Sequence, residues 1–67
     1  MKLIIDTENG SFYIKLDENR EVVESEEVRP GLVLDFDANN QVVGIELVKL
    51  NEQFSFDLLK NFNFEII

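Results

Sequence analysis

Sixty-seven residues leave room for one domain with one core, and a chain this short buries only about 60% of the surface it exposes when unfolded. The absence of cysteine and histidine excludes disulfides, thiolate chemistry, imidazole general-base catalysis and nearly every zinc site. Fourteen acids against six bases give a formal charge of −8, which opposes phosphate backbones and favours solubility or a basic protein partner.

Taken in order, the chain opens on Met1-Lys2-Leu3-Ile4-Ile5-Asp6, a strand-like run with no cleavage site, and no run approaches the roughly 20 apolar residues of a membrane span. The expected location is cytoplasmic, with neither membrane nor nucleic acid as a partner. Asn9-Gly10 is a strong hairpin signal. Placing the turn there sets Ile5 opposite Ile14, Leu3 opposite Leu16 and Thr7 opposite Phe12, with Tyr13 and Lys15 pointing the other way. Tyr13 reads as a packing residue with its hydroxyl at the rim. Asp17-Glu18-Asn19-Arg20 reads as a loop, and the acid-rich Val22 to Val28 as an edge strand whose charges discourage stray pairing.

Pro30-Gly31 separates that strand from the next. From Leu32 to Lys49 two runs rich in Val, Ile, Leu and Phe flank Ala38-Asn39-Asn40-Gln41, which reads as a second hairpin. With Asn39 and Asn40 at the turn, Phe36 pairs with Val43, Leu34 with Ile45 and Leu32 with Leu47. The opposite face then carries Val33, Asp35, Asp37, Val42, Gly44 and Glu46. The expected core is Leu3, Ile5, Phe12, Ile14, Leu16, Leu32, Leu34, Phe36, Val43, Ile45 and Leu47.

Beyond Lys49 the period changes. Ser55 suits a helix cap, Asp57 its first turn, and Leu58, Leu59 and Phe62 lie three or four residues apart. The spacing predicts a short helix from Phe56 to Asn61 covering the sheet, entered through a staple of Phe54 and Leu59. Phe64-Glu65-Ile66-Ile67 reads as a strand or a docked tail. The predicted fold class is therefore α+β: one domain over 1–67, with an antiparallel β-meander of about five strands (two hairpins plus an edge strand) over 1–50. The short C-terminal helix and apolar tail occupy 51–67.

From Asp35 the chain reads D-F-D-A-N-N-Q-V-V-G-I-E, which matches much of a calcium-binding EF-hand loop, with oxygen ligands at Asp35, Asp37 and Asn39 and a carboxylate at Glu46. The bend that needs Gly has Asn40, and the flanks are β-branched runs rather than helices, so the reading preferred here is solvent-facing acids. Asp35, Asp37 and Glu46 remain the candidates for a weak cation- or small-ligand-binding domain, with Glu46 diagonal to Asp35 on one face. No catalytic or cofactor-binding residue is expected, because a half-exposed face of a small sheet offers little concavity for paired carboxylates.

The segments D-T-E-N-G-S-F-Y-I-K-L (Asp6 to Leu16), V-V-E-S-E-E-V-R-P-G-L-V-L-D-F-D and V-V-G-I-E-L resemble the small bacterial and archaeal proteins catalogued as domain of unknown function 2283, over about Met1 to Leu50. Members more often carry Gly where this chain has Asn40. The resemblance implies a compact β-rich fold with a C-terminal helix and no established catalytic residue, cofactor or substrate. Some members are associated with genes for small toxin-like proteins, which implies an antitoxin or partner role. Together with the charge and the apolar tail, this makes a non-enzymatic interaction module the expected function. It would act as a homo-oligomer (dimer) or bind a basic protein, with Phe54, Phe56, Phe64, Ile66 and Ile67 as interface candidates.

Overall fold

The computed structural model describes residues 1–49 and 61–67. Five strands form one antiparallel sheet: β1 (Lys2–Asp6), β2 (Ser11–Lys15), β3 (Glu24–Arg29), β4 (Leu32–Phe36) and β5 (Val42–Leu47). The described residues contain no helix element and form an all-β sheet, in place of the expected α+β fold. The predicted helix from Phe56 to Asn61 lies almost wholly outside the described residues, as do Phe54 and Phe56. Among the described residues no helix is long and apolar enough to cross a membrane.

The spatial order is β1-β2-β5-β4-β3, which corrects the simple meander. β3 does lie at an edge, as its charges require, but β2 pairs with β5 and not with β3. A central strand is covered by neighbours on both sides, and Val42-Val43-Gly44-Ile45-Glu46-Leu47 suits that place better than the acid-laden Glu24-Ser25-Glu26-Glu27. The β2–β5 register sets Phe12 opposite Leu47 and Ile14 opposite Ile45, so apolar residues meet. The arrangement β2-β5-β4-β3 is a Greek-key order, in which residues 16–23 carry the chain across the sheet end.

The turns explain the registers. Asp6 Oδ1 accepts the Glu8 and Asn9 amides at 3.0 Å each, and Gly10 adopts φ 68°. The first loop is therefore Thr7 to Gly10 and not a two-residue Asn-Gly turn. Leu3 consequently faces Ile14, and Ile5 faces Phe12. This slip of two residues leaves every side chain on its expected face.

In the β3–β4 turn, Pro30 followed by Gly31 at φ 84° fits the two central positions of a type II turn. The β4–β5 loop has Ala38-Asn39-Asn40 between Asp37 and Gln41, closed by the Asp37 amide donating to the Gln41 carbonyl at 3.0 Å, with Asn40 left-handed at φ 61°. That three-residue loop sets Phe36 opposite Val42, and an irregularity after Asp35 absorbs Val43. Beyond it Leu34 pairs with Ile45 and Leu32 with Leu47, as the sequence predicts. Phe36 is the exception.

Cross-strand partners share a face, so Leu3, Ile5, Phe12, Ile14, Leu32, Leu34, Phe36, Ile45 and Leu47 lie together. Phe12 and Val43 are buried, while Leu3 and Ile5, expected in the core, are about 41% and 40% exposed because β1 is an edge strand.

Candidate functional site

The other face carries polar residues in two neighbouring rows. One row runs Ser25, Asp35, Gly44, Lys15, Lys2, and the next runs Glu27, Val33, Glu46, Tyr13, Ile4. The registers therefore place Tyr13 on β2 and Asp35 on β4, on either side of β5. The Tyr13 hydroxyl crosses β5 to donate to Asp35 Oδ2 at 2.8 Å, and Ser25 Oγ donates to Asp35 Oδ1 at 2.6 Å. Asp35 is only 3% exposed, so the expected solvent-facing acid is instead a buried one with both oxygens engaged. The Tyr13 side chain is half-buried, with its hydroxyl turned across the sheet to Asp35.

Gly44 makes the crossing possible. A Cβ there would stand 2.7 Å from the Tyr13 hydroxyl oxygen and 3.0 Å from Asp35 Oδ2. Gly within a strand weakens the strand but permits such close approach.

The surroundings shift the ionisation of Tyr13 and Glu46. Burial, then the bond to Asp35 and the Asp35 and Glu46 charges, push the Tyr13 hydroxyl up to about 12, which keeps it a neutral donor at physiological pH. Burial and the Asp35 charge raise Glu46 above the ordinary glutamate value. Glu46 is thus beside Asp35 on one face, as the diagonal register predicts. A neutral phenol locked on a carboxylate is a structural bond and a poor nucleophile.

Asp37 is elsewhere, at the hairpin loop, and only 7% exposed. Its Oδ1 accepts the Asn39 and Gln41 amides at 2.9 Å each, and its Oδ2 receives Arg20 Nη1 at 2.6 Å. Arg20 also donates to Gln41 Oε1 at 2.7 Å and to Asp17 Oδ2 at 3.1 Å, tying the loop after β2 to the β4–β5 turn. The backbone bonds and Arg20 hold the Asp37 carboxyl below its ordinary value. Asp35, Asp37 and Glu46 thus do not converge, and among the described residues no group of three or more acidic side chains is placed to hold a metal ion. Nor does any buried side-chain nitrogen or oxygen among them lack a partner.

An open cleft of about 240 Å³ lies beside Tyr13, lined by Lys15, Arg20, Glu21, Val22 and Val43 among others. Neither Asp35 nor Glu46 lines it, so the carboxylate pair does not face this concavity. The remaining candidates are apolar. Phe64 and Ile66 are 78% and 84% exposed and Ile67 is fully so, joined by Phe62 and, on β1, by Leu3, Ile4 and Ile5. Arg20 and Gly44 are the residues the sequence reading passed over. The signal for Gly44 was a glycine inside a strand; for Arg20, a lone cation in an acidic loop.

The family model for Protein of unknown function (DUF2283) matches residues 2–50, which spans all five strands. The chain belongs to this family. No curated protein and no solved structure matches it.

Proposed function

We propose that this DUF2283 protein is a non-enzymatic protein-interaction module that self-associates or binds a basic partner. The observation carrying this reading is the exposure of Leu3, Ile4 and Ile5 along a sheet edge, together with Phe62, Phe64, Ile66 and Ile67 at the C-terminus. Exposed apolar side chains of this size are the kind of surface that partners cover, and a small domain gains stability by covering them with a second chain. Two of the three candidate carboxylates, Asp35 and Asp37, are committed to internal bonds. An antitoxin-like pairing with a basic protein would draw on the −8 charge.

Sedimentation equilibrium of the full chain, paired with capture of partners from the source cell across a salt series, tests the reading. A concentration-dependent dimer, or one basic protein recovered at fixed stoichiometry and released by salt, is expected. A chain that stays monomeric at every concentration and recovers no such protein overturns it.

A further inference from the structure

The two edges of the sheet are unlike. β3 carries Glu24, Glu26 and Glu27 and ends at Arg29-Pro30, all devices that discourage strand addition. β1 carries one Lys, one Asp and three aliphatic residues in Lys2-Leu3-Ile4-Ile5-Asp6, is neutral overall, and has no irregularity in its register with β2. Among the described residues it has β2 as its single neighbour. Leu3, Ile4 and Ile5 are each about 40% exposed. In a chain of charge −8, a neutral apolar edge is where a second copy meets least repulsion.

We infer that β1 pairs antiparallel with β1 of a second copy about a two-fold axis at Ile4, joining two sheets into one of ten strands; this rests on the self-association reading above. Partners across an antiparallel ladder point to the same face, so the paired residue numbers must have the same parity. Of the registers that satisfy this, the one centred on Ile4 pairs all five residues of the strand. It sets Ile4 against Ile4, Leu3 against Ile5, and Lys2 against Asp6 of the second copy. Centring on Leu3 or Ile5 sets a charge against Ile4 instead.

The charges favour the same register. Within one chain Lys2 lies directly opposite Lys15 on β2, a like-charge pair. A second copy's Asp6 on the other side of Lys2 offsets that repulsion. Asp6 remains ionised for this, since the Asn9 backbone and side-chain bonds and the Glu8 amide hold its carboxyl below the ordinary value, and it is exposed. On the opposite face Leu3 and Ile5 of both copies meet beside Phe12 and Ile14, so the apolar surfaces run together across the axis.

The chain has no cysteine, which permits a direct test by single substitutions in the full-length protein. Opposed Cα atoms in an antiparallel pair lie about 4.5–5.5 Å apart, within disulfide reach. Ile4→Cys is expected to oxidise to a disulfide dimer with the sedimentation behaviour of the wild-type dimer. Lys2→Cys and Asp6→Cys should each fail to crosslink alone but crosslink when mixed. Lys2→Glu, which relieves the Lys15 contact within one chain, should weaken dimerisation by about tenfold. A wild-type dimer that crosslinks through Phe64→Cys or Ile66→Cys and not through Ile4→Cys overturns this register but leaves self-association standing. A strict monomer overturns the inference and leaves the basic-partner arm of the proposed function to be decided by capture.

Discussion

The Tyr13 hydroxyl and the Asp35 carboxylate meet at 2.8 Å across a strand that belongs to neither, in the space left by the missing side chain of Gly44. Gly44→Ala should break this bond, because the new Cβ would stand 2.7 Å from the hydroxyl oxygen. The expected loss is about 1–3 kcal/mol, from overpacking and an underpartnered Asp35. Tyr13→Phe should cost a similar amount by removing the donor. The double variant should lose less than the sum, since both changes strike one contact. Urea unfolding of the four proteins checks this; strict additivity would mean that Gly44 serves some other purpose.

On the acid side Glu46 opposes Asp37, and the exposed Asp6 acts in the same direction as Asp37. Glu46 has its folded pKa raised above 4.5, so its favourable contribution is complete below 4.5 and is lost as pH rises through the folded value. Asp37 has its folded pKa lowered below 3.8, so its contribution is complete above 3.8 and is lost as pH falls through the folded value. The unfolding midpoint should therefore fall in both directions from about pH 4 to 4.5 through these two groups. Glu46→Gln should remove the decline on the higher side and be more stable than wild type at neutral pH. Tyr13 adds a third limb, lost as pH rises from 10 toward about 12, which Tyr13→Phe should abolish.

Arg20 holds three partners with two of its nitrogens, and Asp37 is the most buried of them. Arg20→Ala should lower the melting temperature and flatten the loss of stability below pH 3.8 that Asp37 supplies. Arg20→Lys should not restore either, because an ammonium lacks the planar fork that reaches Asp17, Asp37 and Gln41 together. Glu18→Ala, in the same loop, is the control expected to change little. Equal melting temperatures for Arg20→Ala and Glu18→Ala would show that the tie does not stabilise the fold.

What the sequence made legible were the local features: the positions of the three turns, the edge character of β3 and the pairing of Leu34 with Ile45 and Leu32 with Leu47. Sheet order was not legible, because a period of two says which face a residue takes and nothing about which strand lies alongside. Phe12 and Ile14 would fit several apolar neighbours, and only the acids of β3 argue for putting that strand outside. The first register slipped because Asp6 accepts the Glu8 and Asn9 amides and so competes with the two-residue turn that Asn9-Gly10 suggests. Asp35 was misread as exposed for a related reason: alternation marks the polar face, and burial there depends on Tyr13 reaching over from another strand.

Asn40 stands left-handed at φ 61°, a conformation that glycine adopts without Cβ crowding. A non-glycine residue pays about 1–2 kcal/mol there from Cβ crowding, which Asn reduces and Gly avoids. The Asn40 amide donates to the Asp37 carbonyl at 3.0 Å, a backbone bond that any substitution except Pro preserves. Asn40→Gly should therefore raise stability by a few tenths to about 1 kcal/mol, and Asn40→Ala should lower it by about 1 kcal/mol. Because the loop sets Phe36 against Val42 and sends Val43 into the irregularity, the same change should leave the Leu34–Ile45 register intact. Amide exchange of Ile45 alongside denaturant unfolding would check both expectations. A stabilised Asn40→Ala would show that the left-handed bend is not kept in solution.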